Sequence, residues 1–210
     1  MRNLALVWVL AGVAVALLAA GDGKPSVSTY TDKRDGKVYK IVKIGSQVWF
    51  AENLNYAAEG SECFQNIAQN CAEYGRLYDW PTVLKACPTG YHLPTNDEWT
   101  MLIDYAGGRE TAGTKLKSSA GKPTVGWHSY NGVPDGTDDF GFSALPAGYG
   151  LGAISPRIDG YWWSATERDT NNAFYLTISF NEEKVGRHYA YKTNLRSVRC
   201  VQDNDKEKRK

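Results

Sequence analysis

Four cysteines, Cys63, Cys71, Cys87 and Cys200, constrain this chain more than any other feature. The set is even and contains no Cys-x-x-Cys pair. His92, His128 and His188 stand at no zinc-type spacing from it. In an oxidising compartment such a set forms two disulfides, and three pairings are open. Cys63 with Cys71 would clip a short loop rich in Asn and Gln. Cys87 with Cys200 would tie the middle of the chain to its C-terminal strand. That second loop spans about 110 residues, for which chain entropy gives roughly 4 to 5 kcal/mol.

The N-terminus points to the same compartment. Arg2 precedes an uncharged apolar run from Leu4 to Ala20, and Gly21-Asp22-Gly23 breaks it. Residues 1–20 therefore read as a secretory signal peptide cleaved after Ala20, with an uncleaved anchor as the alternative. Gly21 stands where a lipid-bearing Cys would be needed. Export to the cell surface, the periplasm or the medium is expected, with no membrane span once the signal is removed. The 24 basic and 23 acidic side chains nearly cancel, which argues against a nucleic-acid partner.

The remaining organisation follows from periodicity and turn residues. Residues 21–36 form a polar leader and 203–210 a charged tail, leaving 37–202 as one domain. Val38 to Ile44, Gly45-Ser46 and Gln47 to Phe50 spell a β-hairpin. Asn53 to Asn70 reads as a loop, and Pro81 to Ala86 as a short helix. Thr95 and Glu98 form a capping box ahead of a helix over about 96–106, with Trp99, Leu102, Ile103 and Ala106 on one stripe and Gly107-Gly108 as its stop. From Ser118 to Gly160 the pattern dissolves into Gly, Pro, Asp and aromatics, a long loop region expected to be functional or pinned by its own packing. Strands follow at Tyr161–Ala165, Ala173–Phe180, Lys184–Tyr191 and Asn194–Val201. The class is α+β, with antiparallel strands, one main helix and two disulfides. A disulfide from the helical part to the last strand would give the outline of a C-type-lectin-like domain.

Specific motifs narrow this further. They are Val48-Trp49-Phe50-Ala51-Glu52-Asn53-Leu54, Tyr74-Gly75-Arg76-Leu77-Tyr78, and Ala86-Cys87-Pro88-Thr89-Gly90-Tyr91-His92-Leu93-Pro94-Thr95. Glu98-Trp99, Phe140-Gly141-Phe142-Ser143-Ala144-Leu145-Pro146-Ala147-Gly148, Trp163-Ser164-Ala165-Thr166-Glu167 and Ser197-Val198-Arg199-Cys200-Val201 complete the set. Together they resemble the Fibrobacter succinogenes major paralogous domain over roughly residues 38–202. The resemblance implies export and a C-type-lectin-like fold related to the formylglycine-generating, sulfatase-modifying enzymes. It carries no catalytic residues across.

The chemistry favours binding over catalysis. No Gly-x-Ser-x-Gly accompanies His92. Asp135, Asp138, Asp139, Asp159 and Glu167 are the acids a carbohydrate-active enzyme could use, but no spacing selects a pair. Asp135, Asp138 and Asp139 flank Gly136 at a spacing that could chelate calcium as a cofactor; an Asp-Gly turn is the plainer reading. Trp127, Tyr130, Tyr149, Tyr161 and Trp162 fall in or beside the long loop region. Flat rings beside polar groups can stack on sugar faces or serve a protein interface; packing of these rings onto the loops' own Gly-rich backbone is the other reading. The expectation is an exported, non-catalytic module binding a glycan or a cell-surface protein. A modifying or carbohydrate-active enzyme and a purely structural envelope component are the alternatives.

Overall fold

The computed structural model describes residues 25–119, 126–150 and 157–204. The expected signal peptide lies outside them, as does most of the charged tail.

The hairpin forms where the alternation places it. β2 (Val38–Ile44) pairs antiparallel with β3 (Gln47–Phe50), closing at Ile44 opposite Gln47. Gly45 turns the chain at φ +60°, which a side chain would resist. Period-2 alternation then feeds two cores. Val42, Ile44 and Trp49 enter one, with Trp99, Leu102, Phe142, Trp162, Leu176 and Ile178. Tyr39 and Phe50 enter the other, with Tyr78, Trp80, Tyr91, Trp163, Val198 and Cys200.

The leader is not featureless. Its Val27–Thr31 is a strand, β1, pairing along its length with β2. Its side chains are mostly exposed, so the segment has little apolar signal. Backbone bonds to β2 hold it, and Tyr30 packs 4.9 Å from the ring of Tyr91. The stretch expected as a loop after Asn53 also contains structure. It holds β4 (Ser61–Glu62), a 3-10 turn at Phe64–Asn66 and α1 (Ala68–Tyr74), which carries Cys71 into its bond with Cys63. β5 (Leu77–Tyr78) and α2 (Trp80–Val83) follow, the latter capped by Asp79, whose side chain accepts from the Thr82 N–H.

β6 (Tyr91–His92) leads into α3 (Asn96–Tyr105), where both halves of the Thr95–Glu98 capping box form. Glu98 is drawn into a wider tie. His92 sits between Glu98 and Asp203, Nε2 at 2.7 Å from Glu98 Oε1 and Nδ1 at 2.8 Å from Asp203 Oδ1. Only the doubly protonated ring donates to both.

After α4 (Ala112–Leu116), the described residues form no named element until β7 (Asp159–Glu167). The loop region is nevertheless packed: Phe142, Ala144, Leu145 and Ala147 are buried. Arg199, fully buried, pins it by donating to the carbonyls of Phe142, Ser143 and Phe50. β7, β8 (Asn172–Ser179) and β9 (Val185–Tyr191) make an antiparallel three-stranded sheet.

The expected closing strand, Asn194–Val201, is mostly a seam instead. Arg196 exchanges backbone bonds with Tyr78, and Ser197 with Tyr161 and Trp163. Only β10 (Val201–Gln202) joins a sheet, between β3 and β6, giving the order β1-β2-β3-β10-β6. Because the seam serves two sheets in turn, its bonds alternate between partners. The Cys87–Cys200 disulfide fastens it at the end. The result is an α+β arrangement dominated by antiparallel sheet. Among the described residues, no helix is long and apolar enough to cross a membrane.

Candidate functional site

Alternation along β7 decides which rings reach the surface. Tyr161 and Trp163 point to one face of the sheet and Trp162 to the other. Trp162, expected among the ligand-binding rings, is 1% exposed in the first core. Its indole N–H donates to Asn53 Oδ1 at 2.9 Å. Gly160 makes room for it, since a Cβ there would lie 2.2 Å from the indole. Trp162 therefore leaves the candidate set.

Trp127 is half-buried against the same core, its N–H donating to the Ala144 carbonyl at 2.9 Å. Tyr130 is 51% exposed and meets Phe180 edge-on at 5.4 Å. These two are separate from the remaining pair, which the fold does bring together. Tyr149 and Tyr161 pack edge-on at 5.2 Å between centroids.

Cross-strand pairing extends that pair into a row. Tyr175 on β8 lies opposite Trp163 on β7 and His188 on β9. Ring centroids run Tyr149 to Tyr161 5.2 Å, Tyr161 to Tyr175 6.0 Å, and Tyr175 to His188 5.8 Å. The three tyrosines are half-exposed and His188 is exposed. One ring comes from the loop region and one from each strand, so the row crosses the sheet.

Beneath the row lies Arg196, 4% exposed. Its guanidinium carbon is 3.8 Å from the ring centroid of Tyr175, 4.9 Å from Trp163, 5.5 Å from Tyr161 and 5.7 Å from Tyr149. Cation–π attraction contributes roughly 0.5 to 2 kcal/mol in such settings. Burial pushes the guanidinium pKa below its ordinary value, and among the described residues its Nε and Nη1 have no hydrogen-bond partner. Burial, followed by the Asp159 carboxylate, pushes the Tyr161 hydroxyl up; that hydroxyl donates to Asp159 Oδ2 at 3.0 Å. Trp163, Tyr175, His188 and Arg196 escaped the sequence reading. Strand alternation from Tyr161 carries a signal for Trp163, but nothing local marks Arg196.

Asp138 turns back on its own loop, accepting from the Ser143 N–H at 2.7 Å and from the Ser143 hydroxyl. Among the described residues no group of three or more His, Cys, Asp or Glu side chains is placed to hold a metal ion, Asp135, Asp138 and Asp139 included. Glu167 pairs with Lys192 at 3.1 Å. Two clefts of about 420 Å³ each lie away from the row. One is lined by Lys37, Glu52, Asn55 and Glu73, and the other by Gln47, Glu98 and Asp203, both of whose acids are engaged by His92.

Residues 42–202 match the Fibrobacter succinogenes major domain. No curated protein and no solved structure matches the chain.

Proposed function

The chain belongs to the Fibrobacter succinogenes major domain family, and on that premise we propose that it is an exported, non-catalytic binding module whose ring row takes a saccharide. One observation carries the reading: Tyr149, Tyr161, Tyr175 and His188 stand in line, half-exposed or exposed, over a buried cation. Flat rings stack on the apolar faces of sugar rings, while the flanking hydroxyls, imidazole and Asp159 carboxylate suit sugar hydroxyls. Two disulfides support an oxidising compartment, and the uncharged run after Arg2 supports export into it. A C-type-lectin-like scaffold is part of the proposal. Its support is the long loop region ahead of the last sheet and the disulfide from Cys87 to the chain's final strand region.

A glycan array probed with the purified protein, with and without calcium, tests this. Binding that is insensitive to calcium and lost in a Tyr161→Ala, Tyr175→Ala variant with unchanged far-UV circular dichroism is the expected result. A blank array, or binding that survives the double substitution, refutes the reading and leaves the envelope-component alternative.

A further inference from the structure

Arg196 is an expensive residue to keep where it is. Burying a guanidinium costs several kcal/mol unless anions or acceptors compensate it. Arg199, the other buried arginine among the described residues, has such compensation, donating to four oxygens. Arg196 has four ring faces around it and the Tyr175 hydroxyl as a side-chain partner, and among the described residues its Nε and Nη1 find no partner. No carboxylate pairs with it among the described residues. A well-packed apolar side chain would hold the same space at lower cost. The cation thus keeps two unspent donors under a row of half-exposed rings.

Resting on the reading of the row as a saccharide platform, we infer that Arg196 reads charge and that the preferred ligand is an acidic saccharide whose sugar ring bears a carboxylate. The tyrosines stack on the sugar, and the guanidinium accepts its carboxylate as a charge-assisted hydrogen-bond partner. Tyr149 stands at the loop end of the row, its ring centroid 5.7 Å from the guanidinium carbon of Arg196. The backbone on either side of it is anchored, Gly148 N–H to the Asp159 carbonyl at 2.9 Å and Gly150 N–H to the Leu195 carbonyl at 3.1 Å. The Tyr149 side chain is half-exposed, and the inference requires its rotation about χ1 to open the guanidinium to the ligand. The Asp159 carboxylate accepts from the Tyr161 hydroxyl, as described above.

Calorimetric titration with an oligogalacturonide and with the same oligomer methyl-esterified separates charge from stacking, because only the carboxylate differs. The acid should bind at least tenfold more tightly than the ester. Arg196→Gln should remove that difference, whereas Arg187→Gln, an exposed arginine on β9, should preserve it. Equal affinity for acid and ester overturns the inference while leaving the saccharide platform standing. An equal loss of discrimination in both variants overturns it as well, by assigning the effect to diffuse surface charge. If neither oligomer nor any neutral glycan binds, the platform reading falls together with it.

Discussion

Arg199 Nε donates to Asn53 Oδ1 at 2.8 Å, joining two buried side chains 146 residues apart in the chain. The same oxygen accepts from Trp162 Nε1, and the Asn53 amide donates to the Tyr74 carbonyl at 2.8 Å. One asparagine thus binds the hairpin, the last sheet, α1 and the C-terminal seam.

Replacing Asn53 with Ala strands the Arg199 and Trp162 donors in the interior. Unmet buried donors cost about 1 to 3 kcal/mol each, so a total loss of about 3 kcal/mol is expected. Urea denaturation should show a lower midpoint at an unchanged slope. A loss under 1 kcal/mol would show that Asn53 is not the junction described.

The two disulfides should contribute unequally. The Cys87–Cys200 bond spans 113 residues and Cys63–Cys71 spans 8. Chain entropy gives about 5 kcal/mol for the long loop and about 2.5 kcal/mol for the short one. Scanning calorimetry of the two double-serine variants should therefore show the larger fall in Tm for Cys87→Ser, Cys200→Ser. The reverse order contradicts the argument.

Stability should fall in acid partly through Glu98. Burial alone raises its carboxyl, but hydrogen bonds from His92 and Thr95 outweigh burial and hold it below the ordinary value of 4.5. A carboxyl lowered in the folded state stabilises fully above its unfolded pKa, and that contribution is lost as pH falls through the folded one. Glu98→Gln, which can still fill the capping box, should flatten the decline below pH 4.5. Parallel acid profiles of variant and parent would remove Glu98 from the account.

Arg196→Met separates structure from function. If the guanidinium is kept for a ligand, an apolar chain of similar length should leave stability within about 1 kcal/mol of the parent, or raise it. A loss above about 3 kcal/mol would make Arg196 a structural tie of the ring cluster.

What was legible in the sequence was what short-range pattern encodes. The β2–β3 hairpin follows from alternation around Gly45, and α3 from the capping box and its apolar stripe; both stand where those patterns put them. β1 was not legible, because Val27–Thr31 buries little and is held by backbone bonds to β2, a partner its own residues do not announce. α1 was hidden for a related reason: in a seven-residue helix only Cys71 and Tyr74 are buried, too few to show a stripe.

The candidate site divides along the same line. An even cysteine set, the uncharged run after Arg2 and a wealth of tyrosine are properties of the chain itself, and they set the disulfides and the kind of residue to expect. Choosing Tyr161, Tyr175 and His188 for the surface, and sending Trp162 inward, was left to the tertiary structure. A strand's period of two says that neighbours face opposite ways. Which face is covered depends on segments far along the chain, here the Arg196 seam on one side and α3 with Phe142 on the other. Long-range packing alone supplies that information, and so it alone placed Arg196 beneath the rings.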